Sequence, residues 1–223
     1  MARVVVIGGD AAGATAAANL RRRLPDEHEV IVLERGQWTS YSACGIPYWV
    51  GGEVRTPQEL VARSPEEHRR NGIDLRTGVE ATAINRDTKV VVTDQGDVPY
   101  DRLVIATGAE PVRPDLPGIT ADGILGVQSL DDGQQVLDAI YTDPRHVVVV
   151  GSGYIGLEMA EACVRRGLDT TVVERSETPL RVVEPQIGEH VADAMRARGI
   201  ELLTSTPTSG FTVVIALTPR RTR

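Results

Sequence analysis

Two cysteines in 223 residues leave no disulfide framework, and a reducing, cytoplasmic setting is expected. Aromatic residues make up 4% of the chain, with Phe211 the single phenylalanine. A core must therefore come from Val, Ile, Leu and Ala within the 41% apolar fraction. That suits a parallel sheet buried on both faces. No segment approaches the ~20 apolar residues of a membrane span, and the run Val4–Ile7 is too short for the core of a signal peptide. No membrane partner is expected. Excess positive charge is also missing: the net charge is −7, which argues against nucleic acid as a partner. No metal site is expected.

What the chain does have is glycine in two patterned places. Residues 3–7 read as a short buried strand, Gly8–Gly13 as a turn, and Ala14–Leu24 as an Ala-rich helix ended by Pro25. Glu29–Glu34 reads as a second strand closed by an acid. Such a βαβ unit with an acid beyond its glycines is the dinucleotide-binding pattern. The glycines let backbone approach a pyrophosphate at the helix N-terminus, and Glu34 can accept from a ribose hydroxyl. The pattern departs from G-x-G-x-x-G at Asp10.

The second half repeats the first. Asp131–Tyr141 is an expected helix, His146–Val150 a buried strand, and Gly151-Ser152-Gly153-Tyr154-Ile155-Gly156 a strict fingerprint. A helix over 157–166 with Gly167 beyond it and a strand over 170–173 ending at Glu174 complete the unit. Glu174 favours NADH over NADPH by binding the 2′-hydroxyl and repelling a 2′-phosphate; Arg175 beside it softens that preference. A helix over 183–198 and a short strand over 200–203 come next. Between the halves, segments 73–75, 79–84, 89–93 and 98–105 read as a strand series forming a β-meander. Pro111, Pro114 and Pro117 stiffen an extended connection. Residues 204–210 read as a loop, 211–217 as a strand, and the end as a frayed basic tail.

Between these units lies Ser40-Tyr41-Ser42-Ala43-Cys44-Gly45-Ile46-Pro47-Tyr48-Trp49. Gly45 and Pro47 suggest a helix's first turn, where the dipole favours a thiolate at Cys44. Cys163, among alanines of a helix, reads as core. A dithiol reductase would carry a second cysteine five residues after Cys44; Trp49 stands there. Cys44 must then cycle through a mixed disulfide with a small thiol or through a sulfenic acid. Two nucleotide units and one thiol fit a nicotinamide donor, a bound redox relay and a sulfur acceptor. His68, among Glu and Arg, reads as solvated helix surface, and His146 as structural.

On these motifs the chain resembles the N-terminal half of the flavoprotein pyridine nucleotide–disulfide oxidoreductases. Ser-Ala-Cys-Gly-Ile-Pro-Tyr is most similar to the coenzyme A disulfide reductase branch, whose near relatives are NADH oxidases and peroxidases. The resemblance implies an α/β fold with two Rossmann-like dinucleotide-binding units, in three layers with parallel sheets, plus the β-meander. It implies FAD at Gly8, Gly9, Ala12, Gly13, Glu34 and Arg35, with Thr107 and Gly108 passing near the flavin. It implies NADH or NADPH at Gly151, Gly153, Tyr154, Ile155, Gly156 and Glu174. Cys44 is the implied catalytic residue, and Ser40 and Arg22 are implied substrate-binding residues for a coenzyme A-type disulfide; a peroxide is the alternative acceptor. The expected division is an incomplete FAD-binding domain over 1–111, an NAD(P)-binding domain over 112–203, and an atypical tail over 204–223. Family members are about twice as long and homodimeric. The Gly-Asp segment that holds the flavin ribityl is not found after Leu203, so weak FAD binding by this chain is expected, as is the alternative of a non-catalytic remnant.

Overall fold

The computed structural model describes residues 2–212. The described chain forms two compact units, residues 2–46 with 54–110, and residues 47–53 with 111 onward. The expected basic tail, and the expected strand over 211–217 from residue 213 on, lie outside the described residues.

The first unit begins with β1 (Arg3–Ile7), α1 (Ala11–Arg23) and β2 (Glu29–Glu34). The helix starts three residues earlier than the alanine run suggested, because Asp10 already occupies the N-cap position. Gly13, Ala14 and Ala17 form its buried face, and their small side chains let helix and sheet approach closely. Three arginines in the last turn complement the negative end of the helix dipole.

A 3-10 turn over Ala43–Gly45 leads into α2 (Ile46–Gly51), whose residues from Pro47 on count with the second unit. A second 3-10 turn (Pro57–Leu60) precedes α3 (Pro65–Arg70). A reciprocal capping box fixes the start of α3: Ser64 accepts from the Glu67 amide, and the Glu67 carboxylate accepts from the Ser64 amide.

The meander is smaller than the sequence suggested. The run splits into β3 (Asp74–Thr77), β4 (Ala81–Asn85), β5 (Val90–Thr93), β6 (Val98–Pro99) and β7 (Arg102–Ile105). β3 and β7 join β2 and β1 in a four-stranded parallel sheet of order β3-β2-β1-β7. The antiparallel meander is β4-β5-β6 alone. Tyr100 and Asp101 break the run that read as one strand: the Tyr100 amide donates to Lys89 O (2.8 Å), the Asp101 amide to Arg3 O (2.8 Å).

Alternation along β1 sorts the core into two layers. Val5 and Ile7 pack with Ile31, Leu33, Val79 just before β4, and the meander residues Val91 and Val98. Val6 packs on the other face with Val30, Val32, Ala17, Ile73 and Leu75. The meander thus covers one face of the sheet and α1 the other.

The second unit carries α4 (Leu130–Tyr141), β8 (His146–Val150), α5 (Tyr154–Arg165), β9 (Asp169–Val173), α6 (Pro185–Ala197) and β10 (Glu201–Leu203). The strands form a parallel sheet of order β10-β9-β8. Its core joins Ala160 of α5, Val172 of β9, Met195 of α6 and Ile200. β8 was expected to be buried. Val148 and Val150 are instead more than half exposed (55% and 52%) while Val149 packs inward, so β8 buries one face only. Its His146 bonds Thr171 Oγ1 through Nε2 (2.9 Å). Residues 111–116 have no helix or strand, in keeping with the three prolines.

Gly8→Ala tests one close approach within the first unit. Gly8 has φ +102°, and a Cβ there would stand 2.1 Å from the Ala106 carbonyl oxygen. A methyl group in that conformation is strained even without a clash. The substitution is expected to lower unfolding stability by roughly 2 kcal/mol or more, read as an earlier urea midpoint for the first unit. An unchanged midpoint would refute the close approach as a constraint.

Candidate functional site

The two fingerprints fold into matching backbone turns. In the first, the Gly8 amide donates to Leu33 O (2.8 Å); in the second, the Gly151 amide donates to Val173 O (2.8 Å). Gly8 and Gly151 have φ +102° and +100°. A Cβ on Gly13 would fall 1.8 Å from Gly8 O, and one on Gly156 would fall 2.1 Å from Gly151 O. Each helix N-terminus is therefore drawn onto the end of its strand, and its first-turn amides, which have no helical acceptors, face outward. Outward-facing amides at a helix start are the kind of group that suits a phosphate, and each turn is termed a cradle for that reason. Tyr154 and Ile155 in the first turn of α5 are exposed, as is Ala12 in that of α1. Both cradles lie at the carboxyl ends of parallel strands, where α/β sheets bind ligands.

The acids brace these turns. Glu34 accepts from the Gly9 amide through Oε2 (2.7 Å) and from the Gly36 amide through Oε1 (2.7 Å). One lone pair stays open on each oxygen, a match for the two hydroxyls of a ribose. Glu174 does more: Oε2 accepts from both the amide (2.9 Å) and the hydroxyl (2.6 Å) of Ser152, and Oε1 from the Ser176 amide (2.8 Å). Burial alone would raise its pKa; the donors from Ser152 and Ser176 outweigh that and hold the carboxyl at about 2.

A cavity of about 270 Å³ brings together Gly8, Glu34, Arg35, Thr107 and Gly108, all expected at the first nucleotide site. Arg35 in this arrangement pairs with Glu110 (2.9 Å). The larger cavity, about 970 Å³, is lined by residues of the first unit that include Arg3, Glu29, Asp74 and Arg76, with none from the Gly8–Gly13 turn. Its arginines pair with its own acids, Arg3 with Glu29 and Arg76 with Asp74.

Asp10 stands where the strict motif has glycine. Its carboxylate accepts from the Tyr41 amide (3.3 Å), and burial raises its pKa. This turns it toward the cysteine segment. The same segment is tied to the first cradle twice more: Thr39 Oγ1 donates to the Gly9 carbonyl, and the Ser40 amide donates to it at 3.3 Å. On its other side, Ser42 N bonds Leu60 O (2.9 Å) and Ala62 N bonds Ser40 O (2.8 Å). Cys44 thus projects from a loop held on both flanks, and it is exposed. It sits in the 3-10 turn just before α2 rather than in the first turn of that helix, and α2 has only six residues. Trp49, in place of a second cysteine, is buried. Arg22 is exposed on α1 and bonds Asn19 (2.8 Å).

His68 corrects the sequence reading. It is 1% exposed, not solvated, and its Nε2 lies 2.9 Å from Ser40 Oγ. Burial and the neighbouring Arg63 lower its pKa, so the neutral ring is favoured. A signal existed: the capping box makes His68 the fourth helical position, the one that packs back toward the preceding chain. Cys163, as expected, is buried (3%), and burial pushes its thiol up to about 11. No helix among the described residues is long and apolar enough to cross a membrane.

The two thiols and the braced acid can each be tested in the native protein. At pH 8, a maleimide should modify Cys44 rapidly and Cys163 only after unfolding; equal rates would overturn the assignment of exposed and core thiols. For Glu174, whose pKa falls from 4.5 to about 2, the stabilisation is complete above pH ~4.5 and lost as pH drops toward 2. Urea midpoints between pH 2 and 6 should therefore fall less steeply for Glu174→Gln than for the parent chain.

Comparison with known proteins agrees with this geometry. Residues 2–213 match the family described as pyridine nucleotide-disulphide oxidoreductase. An NADH oxidase of Methanocaldococcus jannaschii is 36% identical over 92% of this chain and 47% of its own length. A coenzyme A disulfide reductase of Staphylococcus haemolyticus is 29% identical over 90% of this chain and 46% of its own. Among solved structures, an engineered water-forming NADPH oxidase bound to NADPH, derived from the Lactobacillus brevis NADH oxidase, has a TM-score of 0.89 at 30% identity, covering 96% of this chain and 49% of that one. The chain spans about half the length of the curated relatives it matches.

Proposed function

The chain belongs to the pyridine nucleotide-disulphide oxidoreductase family, and on that premise we propose that it passes electrons from NAD(P)H through FAD to Cys44, which reduces a coenzyme A-type disulfide. In this reading residues 1–111 hold FAD and residues 112–203 hold the nicotinamide nucleotide. The observation that carries it is the lone exposed thiol on a loop bonded directly to the first cradle through Thr39, Ser40 and Asp10.

The chain's own groups suit the adenosine diphosphate half of FAD. The Gly8–Gly13 turn and the start of α1 meet the pyrophosphate, and the two open lone pairs on Glu34 meet a ribose diol. Thr107 and Gly108 line the adjoining cavity. Bound there, the flavin supplies two-electron transfer between nicotinamide and sulfur. The rest is done by the chain. The Cys44 thiolate attacks one sulfur of the disulfide, forming a Cys44–coenzyme A mixed disulfide and releasing one coenzyme A thiolate. Two electrons and a proton then release the second coenzyme A as thiol and return Cys44 as thiolate. Ser40, held by His68, offers a hydroxyl on the same loop. Arg22 is the proposed contact for coenzyme A phosphates.

The similarity to an NADH oxidase supports a second acceptor. Peroxide oxidises the thiolate to a sulfenate with release of water, and two electrons with two protons restore the thiolate and release the sulfenate oxygen as a second water. Both readings need Cys44 and neither needs Cys163. Purified protein supplied with FAD should oxidise NADH or NADPH on addition of coenzyme A disulfide. Cys44→Ser should cut that rate by at least 100-fold, and Cys163→Ser by less than about threefold. Loss of turnover in Cys163→Ser with retention in Cys44→Ser would overturn the mechanism. Faster turnover with peroxide than with the disulfide selects the second acceptor.

The donor reading also draws on the engineered oxidase. Its five changes replace a glycine, an acid eighteen positions later, the two residues after that acid, and the residue five further along. The same spacing here, counted from the third fingerprint glycine, gives Gly156, Glu174, Arg175, Ser176 and Arg181. The engineered protein gained arginine, serine and arginine at the last three, and this chain already carries those residues.

A further inference from the structure

We infer that His68 is a positioning residue for the Cys44 loop: its Nε2–H donates to Ser40 Oγ, which leaves the Ser40 hydroxyl proton to stabilise the thiolate that departs when a disulfide is cleaved at Cys44. The inference rests on the reading of Cys44 as the thiol that attacks a disulfide.

The starting point is a buried polar atom without a partner. His68 is 1% exposed, and its buried Nδ1 has no hydrogen-bond partner among the described residues. Its Nε2 lies 2.9 Å from Ser40 Oγ. Burial and Arg63 both oppose a second proton on the ring; Glu67 favours one, but less. A neutral imidazole carries one N–H and one lone pair, so one of the two is left over at Nδ1. An orphaned N–H is the rarer remainder in folded proteins. The proton therefore sits on Nε2, and Ser40 Oγ accepts it. A serine hydroxyl also has one proton of its own to give. His68 is the only partner of that hydroxyl among the described residues, so its proton has no acceptor within the described chain. The same tautomer excludes the commoner use of a Ser–His pair. With the proton on Nε2, no lone pair faces Ser40, and His68 cannot act as its general base. Ser40 is thus a donor and not a nucleophile.

The backbone holds this donor in place. Ser40 has φ +49°, a left-handed conformation uncommon outside glycine. Its amide donates to Gly9 O (3.3 Å), its carbonyl accepts from the Ala62 amide (2.8 Å), and the next amide, that of Tyr41, donates to Asp10 (3.3 Å). Such strain persists where the surroundings over-determine a residue, as at ligand clamps. Cys44 lies four residues further on, in the turn closed by the Gly45 amide on Ser42 O (2.9 Å). In the cleavage step the Cys44 thiolate bonds to one sulfur of the disulfide, the S–S bond breaks, and the other sulfur leaves with the electron pair as a thiolate. That negative sulfur is the acceptor the Ser40 hydroxyl lacks, and a hydrogen bond to a charged group is among the stronger ones. An apolar ring at position 68 would fill the space with no polar atom to bury. The imidazole bears that cost, and what it gains is the donor to Ser40.

Mixed-disulfide formation by the purified 223-residue chain reads this step without flavin or turnover. Its rate with coenzyme A disulfide should fall roughly tenfold in Ser40→Ala and in His68→Phe. His68→Gln, whose amide keeps a donor, should recover to within about threefold of the parent. The double variant Ser40→Ala with His68→Phe should be no slower than Ser40→Ala, because His68 acts through Ser40. Alkylation of Cys44 by iodoacetamide, in which no thiolate leaves, should change less than about twofold in every variant, which also reports an intact loop. Nitrogen NMR of the labelled chain, with the His68 ring signals identified by their loss in His68→Phe, should show a protonated Nε2 and an unprotonated Nδ1. A proton on Nδ1, an unchanged exchange rate in either single variant, additive losses in the double variant, or an equal loss of alkylation overturns the inference and leaves Cys44 standing as the reactive thiol. A parent chain that iodoacetamide alkylates but that does not react with coenzyme A disulfide overturns the acceptor reading, and this inference with it.

Discussion

Everything in this chain hangs on a backbone contact that admits no side chain: the α-carbon of Gly13 against the carbonyl of Gly8, and that of Gly156 against Gly151. It draws a helix start onto a strand end, so that unpaired amides point at one spot. The neighbouring acid then fixes the turn by accepting from amides on either side of it, Gly9 and Gly36 in one unit, Ser152 and Ser176 in the other. Neither contact depends on burial of large groups. Both are set within a short stretch of sequence, which is why two units with different surroundings arrive at the same local geometry.

That locality also explains what the sequence revealed. The glycine turns, the flanking strands, the acids and the separation of an exposed from a core cysteine were legible, because each depends on spacing and on neighbours a few residues away. The meander was read too broadly, because membership of a sheet is decided by partners far along the chain. Segments 73–75 and 102–105 resemble true meander strands in composition, yet β1 and β2 take them into the parallel sheet. The burial of β8 was overestimated for a related reason: a run of valines shows the capacity to be covered on two faces, not the presence of two covers. His68 was misread because its neighbours in sequence are charged. Its burial comes from the phase of a six-residue helix, set by Ser64 and Glu67.

The two cradles share a backbone and differ in what their acids have left to give. Glu34 keeps acceptor capacity; Glu174 has committed most of its own to Ser152 and Ser176. In a repeat of this kind, a hydroxyl in place of a hydrogen at the second motif position changes which groups are presented to a ligand without moving the backbone. The residues that follow each acid differ between the units, Arg35 and Gly36 in one, Arg175 and Ser176 in the other.

A lone accessible thiol also limits its own chemistry. When a disulfide is attacked by one thiolate, the mixed disulfide that results has to be opened by something else. A second cysteine about a turn and a half onward along the helix would do this, and a buried Trp49 occupies that place. Cys163 cannot substitute, since burial both hides it and keeps it protonated at neutral pH. In the proposed mechanism, electrons therefore reach Cys44 from a bound group and not from a second thiol. The loop's attachment to Gly9 and Asp10, rather than to a second thiol, is the structural counterpart of that requirement. In that reading it favours acceptors that bring their own leaving group, a small disulfide or a peroxide, over a protein disulfide that would need a thiol relay.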